Sequence, residues 1–288
     1  MATLRDVRRK INSIQSTQTI TRTMRMVSAS KLARAQTTLE RVTSYAGKIE
    51  ELLKRVASRL PEDAHPLLAK AKKEEIKNVL LLPIASDRGL SGAFNLNISK
   101  AVEDFIRTNQ GKYEKVGVYL VGKKIRDYLK RRHIETIKEW IDVKTVDPNV
   151  VDAIASDITN LYMDGEYDRV HLIYTHFRSA VRQEVLFQEF LPITVGESEE
   201  MLDYLYEPKM EEIIYELVPQ YIKTKIYFAL AESQTSEHAA RMAAMENATN
   251  NCGELITYLT LVYNKTRQQS ITNEMMDIVG GAEALQSA

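Results

Sequence analysis

LRDVRRKINSIQSTQTITRTMRMVSASKLARAQTTLERVTSYAGKIEELLKRVASRL, residues 4–60, sets the architecture of this chain. Alternating steps of three and four run through Leu4, Val7, Ile11, Ile14, Gln18, Thr21, Arg25, Ser28, Leu32, Ala35, Leu39, Val42, Ala46, Ile49, Leu53, Val56 and Leu60. Thirteen of these seventeen positions are apolar, the spacing of a supercoiled helix face. At 1.5 Å per residue such a helix is roughly 85 Å long and needs a partner helix along most of it. The four polar positions, Gln18, Thr21, Arg25 and Ser28, are consecutive in the seam. Plain hydrophobic packing is interrupted there.

The rest of the chain supplies the partner. Residues 209–286 read as helical again, with Ile213, Ile214, Leu217, Tyr221, Ile226, Phe228, Ala229, Leu255, Ile256, Leu259 and Val262 as the apolar pattern. The heptad is less strict, Gly253 weakens its middle, and Pro219 either opens the helix proper or kinks it. Residues 233–252 are rich in Ala, Thr, Asn and Ser, which allows close approach of another backbone or leaves a smooth exposed surface. Between the helices, residues 77–85, 113–121 and 167–175 read as strands, with 181–190 an antiparallel partner of the third. Residues 95–109, 122–132 and 150–163 read as helices, the last capped by Asp147 and opened by Pro148. Strand–helix alternation implies a parallel sheet covered by helices. The expected fold is a long antiparallel coiled coil of the terminal helices (1–60 and 209–288) with an inserted Rossmann-like α/β domain (76–195).

Charge supports the pairing. The 288 residues balance 39 basic against 39 acidic groups, which implies neither nucleic acid nor membrane as partner. Locally, residues 1–41 carry a net +7 and residues 233–288 a net −3. With Leu60 opposite Leu217, Leu4 falls opposite Asn273, and Met24 and Met26 opposite residues 251–253. Residues beyond about 274 then overhang, frayed at Gly280 and Gly281. A single cysteine, Cys252, excludes an intrachain disulfide and points to a reducing compartment. No signal peptide is visible, and the seam continues too regularly from Leu4 for a cleaved transit peptide.

Enzyme chemistry finds no footing. SDRGLSG, residues 86–92, follows a strand and precedes a helix, where a phosphate loop belongs. It matches neither GxGxxG nor GxxxxGK[ST], and Asp87 would repel phosphate, so a structural turn is expected and no nucleotide site. His65, His133, His171, His176 and His238 show no ligand spacing, so no metal or cofactor is expected. His171 and His176, five apart on one strand, lie on opposite faces.

Several motifs then carry a resemblance over essentially the whole chain. They are ITRTMRMVSASK (20–31), SDRGLSGAFN (86–95), DYLYEP (203–208), SEHAARMAAMENATNN (236–251) and YNKTRQQSITNEMMDIVGGA (263–282). Together they resemble the gamma-subunit family of the F-type ATP synthase, bacterial type, with Ser91 where that family commonly has Cys. The resemblance implies a non-catalytic central-stalk rotor that couples ion-driven c-ring rotation to ATP synthesis or hydrolysis. The implied partners are three alpha and three beta subunits, one epsilon subunit and the c-ring, with one copy of this chain. The implied location is the cytoplasmic face of the bacterial cell membrane, reached only through the Fo sector.

The resemblance also nominates contact residues. Met24, Arg25 and Lys31 would bear on an acidic beta-subunit loop; the alternative is a local stutter with Met24 and Val27 packed as core. Arg267, Gln268, Thr272 and Glu274 would form polar catch contacts to another beta-subunit loop; the alternative is an ordinary polar outer face. Tyr204 and Glu207 match a foot motif that touches the c-ring. Two other readings compete: a nucleotide-binding enzyme with a helical arm, which lacks its phosphate motif, and a coiled-coil adaptor that does not turn.

Overall fold

Every position of the 4–60 seam is buried or half-buried in the computed structural model, which describes residues 3–61, 64–68, 76–143, 146–180, 182–194 and 206–286. Helix α1 spans Leu4–Ala57. Its start is fixed by a reciprocal box. The Asp6 amide donates to the Thr3 hydroxyl oxygen, and the Thr3 hydroxyl and amide both donate to the Asp6 carboxylate. The elements that follow are β1 (Asn78–Pro83), α2 (Phe94–Thr108), β2 (Lys115–Val121), α3 (Lys123–Lys130), β3 (Lys138–Trp140), α4 (Pro148–Met163), β4 (Arg169–Phe177), β5 (Gln183–Leu191) and α5 (Met210–Gln286). Asp147 caps α4 as expected, accepting from the Asn149 amide.

The strands form one sheet in the order β3-β2-β1-β4-β5. All neighbours are parallel except β4 and β5, which pair antiparallel as the sequence suggested. Pleating splits β1 between two cores. Val79 and Leu81 pack with Ile98, Val102, Ile125 and Leu129 of α2 and α3. Leu80 and Leu82 face Ile154 and Ile158 of α4, together with Leu53, Val56, Ile214, Val218 and Ile222 of the terminal helices. Both faces are therefore covered, which is why β1 reads as an unbroken apolar run.

The chain divides into two compact units. In the larger, Ser28–Arg241, the sheet and its helices include the facing parts of α1 and α5. There Tyr45 accepts from Gln220 at 2.9 Å, and Lys225 binds Glu50 at 2.8 Å. In the smaller, Met1–Val27 with Met242–Ala288, the two helices also pair, antiparallel. Its α5 face repeats in threes and fours through Met245, Thr249, Cys252, Ile256, Leu259, Tyr263, Thr266 and Ser270, all buried or half-buried. Among the described residues no helix is long and apolar enough to cross a membrane.

Four expectations change. Helix α5 runs through Pro219 without a break, and continues through Gly280 and Gly281. The helix register differs: Gln18, not Met24 or Met26, lies against Gly253, and Arg25 meets Glu246. The seam of α5 places Thr249 opposite Thr21, so polar positions on the two helices match each other. Strand β3 was not read from the sequence. Finally, of the two alternatives for the small-residue stretch, close approach of another backbone holds for residues 233–241 and the smooth exposed surface does not, since Ser233, Thr235, Ser236, Ala239 and Arg241 are all buried.

Candidate functional site

The polar interruption of the α1 seam is answered across the helix pair. The Gln18 amide donates to the Thr249 carbonyl at 3.3 Å, and the Thr21 and Thr249 hydroxyls meet at 2.8 Å. Arg25 donates to Glu246 at 3.0 Å. A polar layer of this kind fixes register in coiled coils at some cost in stability. Arg25, expected to face a partner's acidic loop, thus has an intrachain carboxylate, with both side chains still about half open to solvent. Met24 is half-buried, while Met26 and Val27 are exposed by 62% and 51%. The packed-core alternative therefore fits Met24 but not Val27.

Lys31 is exposed and makes no ion pair among the described residues. Toward the other end of α5, Arg267, Gln268, Thr272 and Glu274 are all exposed. Their only described contacts are local: the Thr272 hydroxyl donates to the Gln268 carbonyl, and Ser270 reaches Glu274 at 3.4 Å. Apolar side chains surround them, with Met275, Met276 and Ile278 exposed by 61–72%. Of the foot pair, Tyr204 lies outside the described residues; Glu207 is exposed. Of the candidate contacts among the described residues, Lys31, Glu207, Arg267, Gln268, Thr272 and Glu274 are thus exposed, whereas Met24 and Arg25 are half-buried.

A second locus was missed by the sequence reading. The carboxyl ends of β1 and β4 form the crevice where doubly wound folds take ligands. Here α5 crosses it. The Ser233 hydroxyl donates to the Ile84 carbonyl at 3.0 Å, and the Ser236 hydroxyl to the Thr175 carbonyl at 3.1 Å. Buried Glu232 accepts from the Phe177 amide and lies against His176 Nδ1, each at 2.7 Å. Arg241 donates to the Gly89 carbonyl from Nε and Nη2 and pairs with Glu237. Short polar side chains let the α5 backbone approach this edge and satisfy its free carbonyls. The signal was present in ESQTSEHAAR, residues 232–241, as hydrogen-bonding groups, but composition alone does not separate a buried polar face from an exposed one.

The 86–92 loop is the structural turn expected. Asn95 accepts from the Ser86 amide and donates to the Arg88 carbonyl, and Asp87 accepts from the Lys123 amide at 2.8 Å. Asp87 thereby holds the amide at the start of α3 that a phosphate would seek. Gly122, with φ of 111°, is required beside it: a Cβ there would lie 2.5 Å from the Ala85 carbonyl oxygen. Nearby, burial, helped by Arg241, Lys31 and Arg88, lowers the pKa of His238 to about 4. His171 is lowered to about 4 as well, by burial and by Arg169, and packs at a tilt against Phe105 and Phe187. Among the described residues, no group of three His, Cys, Asp or Glu side chains is placed to hold a metal.

Comparison with known proteins agrees with this architecture. The family model described as ATP synthase matches residues 3–285. The ATP synthase gamma chain of Syntrophus aciditrophicus is 42% identical over 292 residues, covering 99% of each chain. That of Moorella thermoacetica is 41% identical, covering 99% of this chain and all of the relative. Among solved structures, a chain of the Tetrahymena thermophila mitochondrial ATP synthase central stalk and c-ring matches with a TM-score of 0.60 at 29% identity, over 80% of this chain and 99% of that one. A chain of the Euglena gracilis mitochondrial ATP synthase in rotational state 3 shares the fold, with a TM-score of 0.69 at 23% identity over 99% and 95%.

Proposed function

The chain belongs to the family of ATP synthase gamma chains, and from that premise we propose that it turns as the central-stalk rotor between an ion-driven c-ring and an alpha/beta catalytic ring. The observation that carries this reading is the family match from residue 3 to residue 285, which spans both terminal helices and the inserted domain together. The chain itself performs no covalent chemistry. Its work is mechanical: a rotor must favour one conformation of each catalytic subunit over another as it turns, and differential contact is what shifts such equilibria.

Met24, Arg25 and Lys31 form one contact level with the beta subunits, and Arg267, Gln268, Thr272 and Glu274 another. The exposure of Lys31 and of the 267–274 group supports this, as does the weakness of exposed ion pairs, about 0–1 kcal/mol each, in contacts that break every turn. Arg25 acts here through its pair with Glu246, which presents the guanidinium half-exposed at a fixed height on the helix. Tyr204 and Glu207 touch the c-ring. One copy of the chain serves three alpha, three beta and one epsilon subunit. It meets the membrane, at its cytoplasmic face, only through the Fo sector, which accords with the lack of a membrane-spanning helix among the described residues.

Native mass measurement of the complex that co-purifies with the tagged chain tests this. One copy per three alpha and three beta subunits is expected, with no ATP hydrolysis by the purified chain alone. Several copies per assembly would contradict the rotor reading.

A further inference from the structure

Beside the 86–92 loop lies a cleft of about 640 Å³, and of the residues proposed to contact the ring only Lys31 lines it. It opens at the carboxyl edge of β1 and β2, next to the crevice that α5 fills. Four cations converge on it from three separate stretches of chain: Lys31 and Arg34 from α1, Arg88 from the loop, and Lys123 from the first turn of α3. All four are exposed, and among the described residues none is in an ion pair.

The cleft also contains three acids, two of which have a partner within the chain. Glu237 is taken by Arg241, which is itself held on the Gly89 carbonyl. Asp87 accepts the Lys123 amide. Asp142 remains, on a residue with φ of 60° at the rim. With Arg241 set against Glu237, the other four cations face the two carboxylates of Asp87 and Asp142, so the cleft keeps a net positive charge. A half-buried ring, Tyr227, with Val143 and Val146, forms an apolar side to it.

We propose that this cleft binds a compact polyphosphate, held by Lys31, Arg34, Arg88 and Lys123. The arrangement differs from a phosphate loop: Asp87 already occupies the backbone amide at α3, so the anion is held by side-chain cations alone. Guanidinium groups match phosphate oxygens in a bidentate way, and cations arriving from three directions suit a short chain of phosphates better than an extended polymer. The field seen by His238 agrees, since after burial its pKa is lowered further by Arg241, Lys31 and Arg88. Free polyphosphate and the triphosphate of a nucleotide share this chemistry.

The test is calorimetric titration of the full-length chain at low salt with sodium tripolyphosphate, ATP and polyglutamate. Saturable tripolyphosphate binding is expected, weakened roughly tenfold by Arg88→Ala and by Lys123→Ala, about one charge-assisted contact each. Lys130→Ala, which removes an equal charge outside the cleft, leaves it unchanged. Tighter binding of ATP than of tripolyphosphate assigns the nucleotide as the source; equal binding assigns the phosphate chain. The charge-keeping Arg88→Lys loses less affinity than Arg88→Ala, and the bound anion raises the titration midpoint of the His238 ring protons in NMR spectra. This last readout decides the matter even where an alanine variant unfolds. Equal loss in Lys130→Ala, an unmoved His238, or polyglutamate binding as tightly as tripolyphosphate would overturn the proposal, the last by assigning the cleft to an acidic protein segment.

Discussion

The guanidinium of Arg25 lies 3.0 Å from the carboxylate of Glu246, so the one charged residue in the polar interruption of the α1 seam is matched within the chain. Arg25→Glu places two carboxylates together and removes the cation from that level. The charge-swapped pair Arg25→Glu with Glu246→Arg restores the attraction but moves the positive group to the other helix. The swap is expected to recover the melting temperature of the complex while coupling between hydrolysis and ion transport stays impaired. Recovery of both together would make the pair a packing feature only.

Arg241 is 8% exposed and satisfies both Gly89 and Glu237. Arg241→Met takes this donor from the largely buried Glu237 carboxylate and from the half-buried Gly89 carbonyl, and a loss of about 3 kcal/mol is expected in urea unfolding. Arg241→Met with Glu237→Leu recovers much of that loss, because no isolated charge is then left behind.

Two histidines set an acid limit on stability. His171 and His238 both have pKa values lowered from 6.5 to about 4 in the folded chain. The unfolded chain therefore binds their protons first, and their contribution to stability is complete above about pH 6.5 and is lost as pH falls toward 4. Glu50 adds to the loss at the lower end. Burial alone would raise its pKa, but hydrogen bonds from Lys225 and Lys54 outweigh that and lower it, so protonation costs stability as pH falls through its folded value. Melting temperature measured from pH 7.5 to pH 4.5 is expected to fall, with a shallower slope in His238→Gln. An unchanged slope would show that His238 is not held neutral by its surroundings.

Gly122→Ala is expected to destabilise the inserted domain by about 2 kcal/mol or more, from left-handed strain together with the clash against the Ala85 carbonyl. Gly165→Ala, where φ is 75° but the space is open, pays the strain without the clash and costs less. Denaturant midpoints of the two variants separate the effects; equal losses would remove the steric argument.

Legibility followed residue chemistry. The α1 seam could be read because Leu, Ile and Val mark it at eleven of seventeen steps, on both sides of the polar interruption. Its counterpart on α5 could not, because Thr249, Cys252, Thr266 and Ser270 occupy half of the seam, whereas Leu255 and Leu261 are exposed by 42% and 66%. That mismatch also displaced the expected register. The sheet was legible where strands are buried on both faces, and β3 was not, since KEW offers three residues with no apolar run. The contact residues came from family resemblance rather than from pattern. The α5 residues that close the crevice at the sheet edge looked like a bland polar stretch, since hydroxyl groups aimed at strand carbonyls leave no periodic trace.

Rotation of the assembled complex tests the central claim most directly. A bead attached through Met163→Cys, at the exposed end of α4, in a Cys252→Ser background would report the motion of this chain against an alpha/beta ring fixed to a surface. With ATP present, the bead is expected to turn in one direction in three steps per revolution. A bead that stays still while the same complexes hydrolyse ATP would contradict the account.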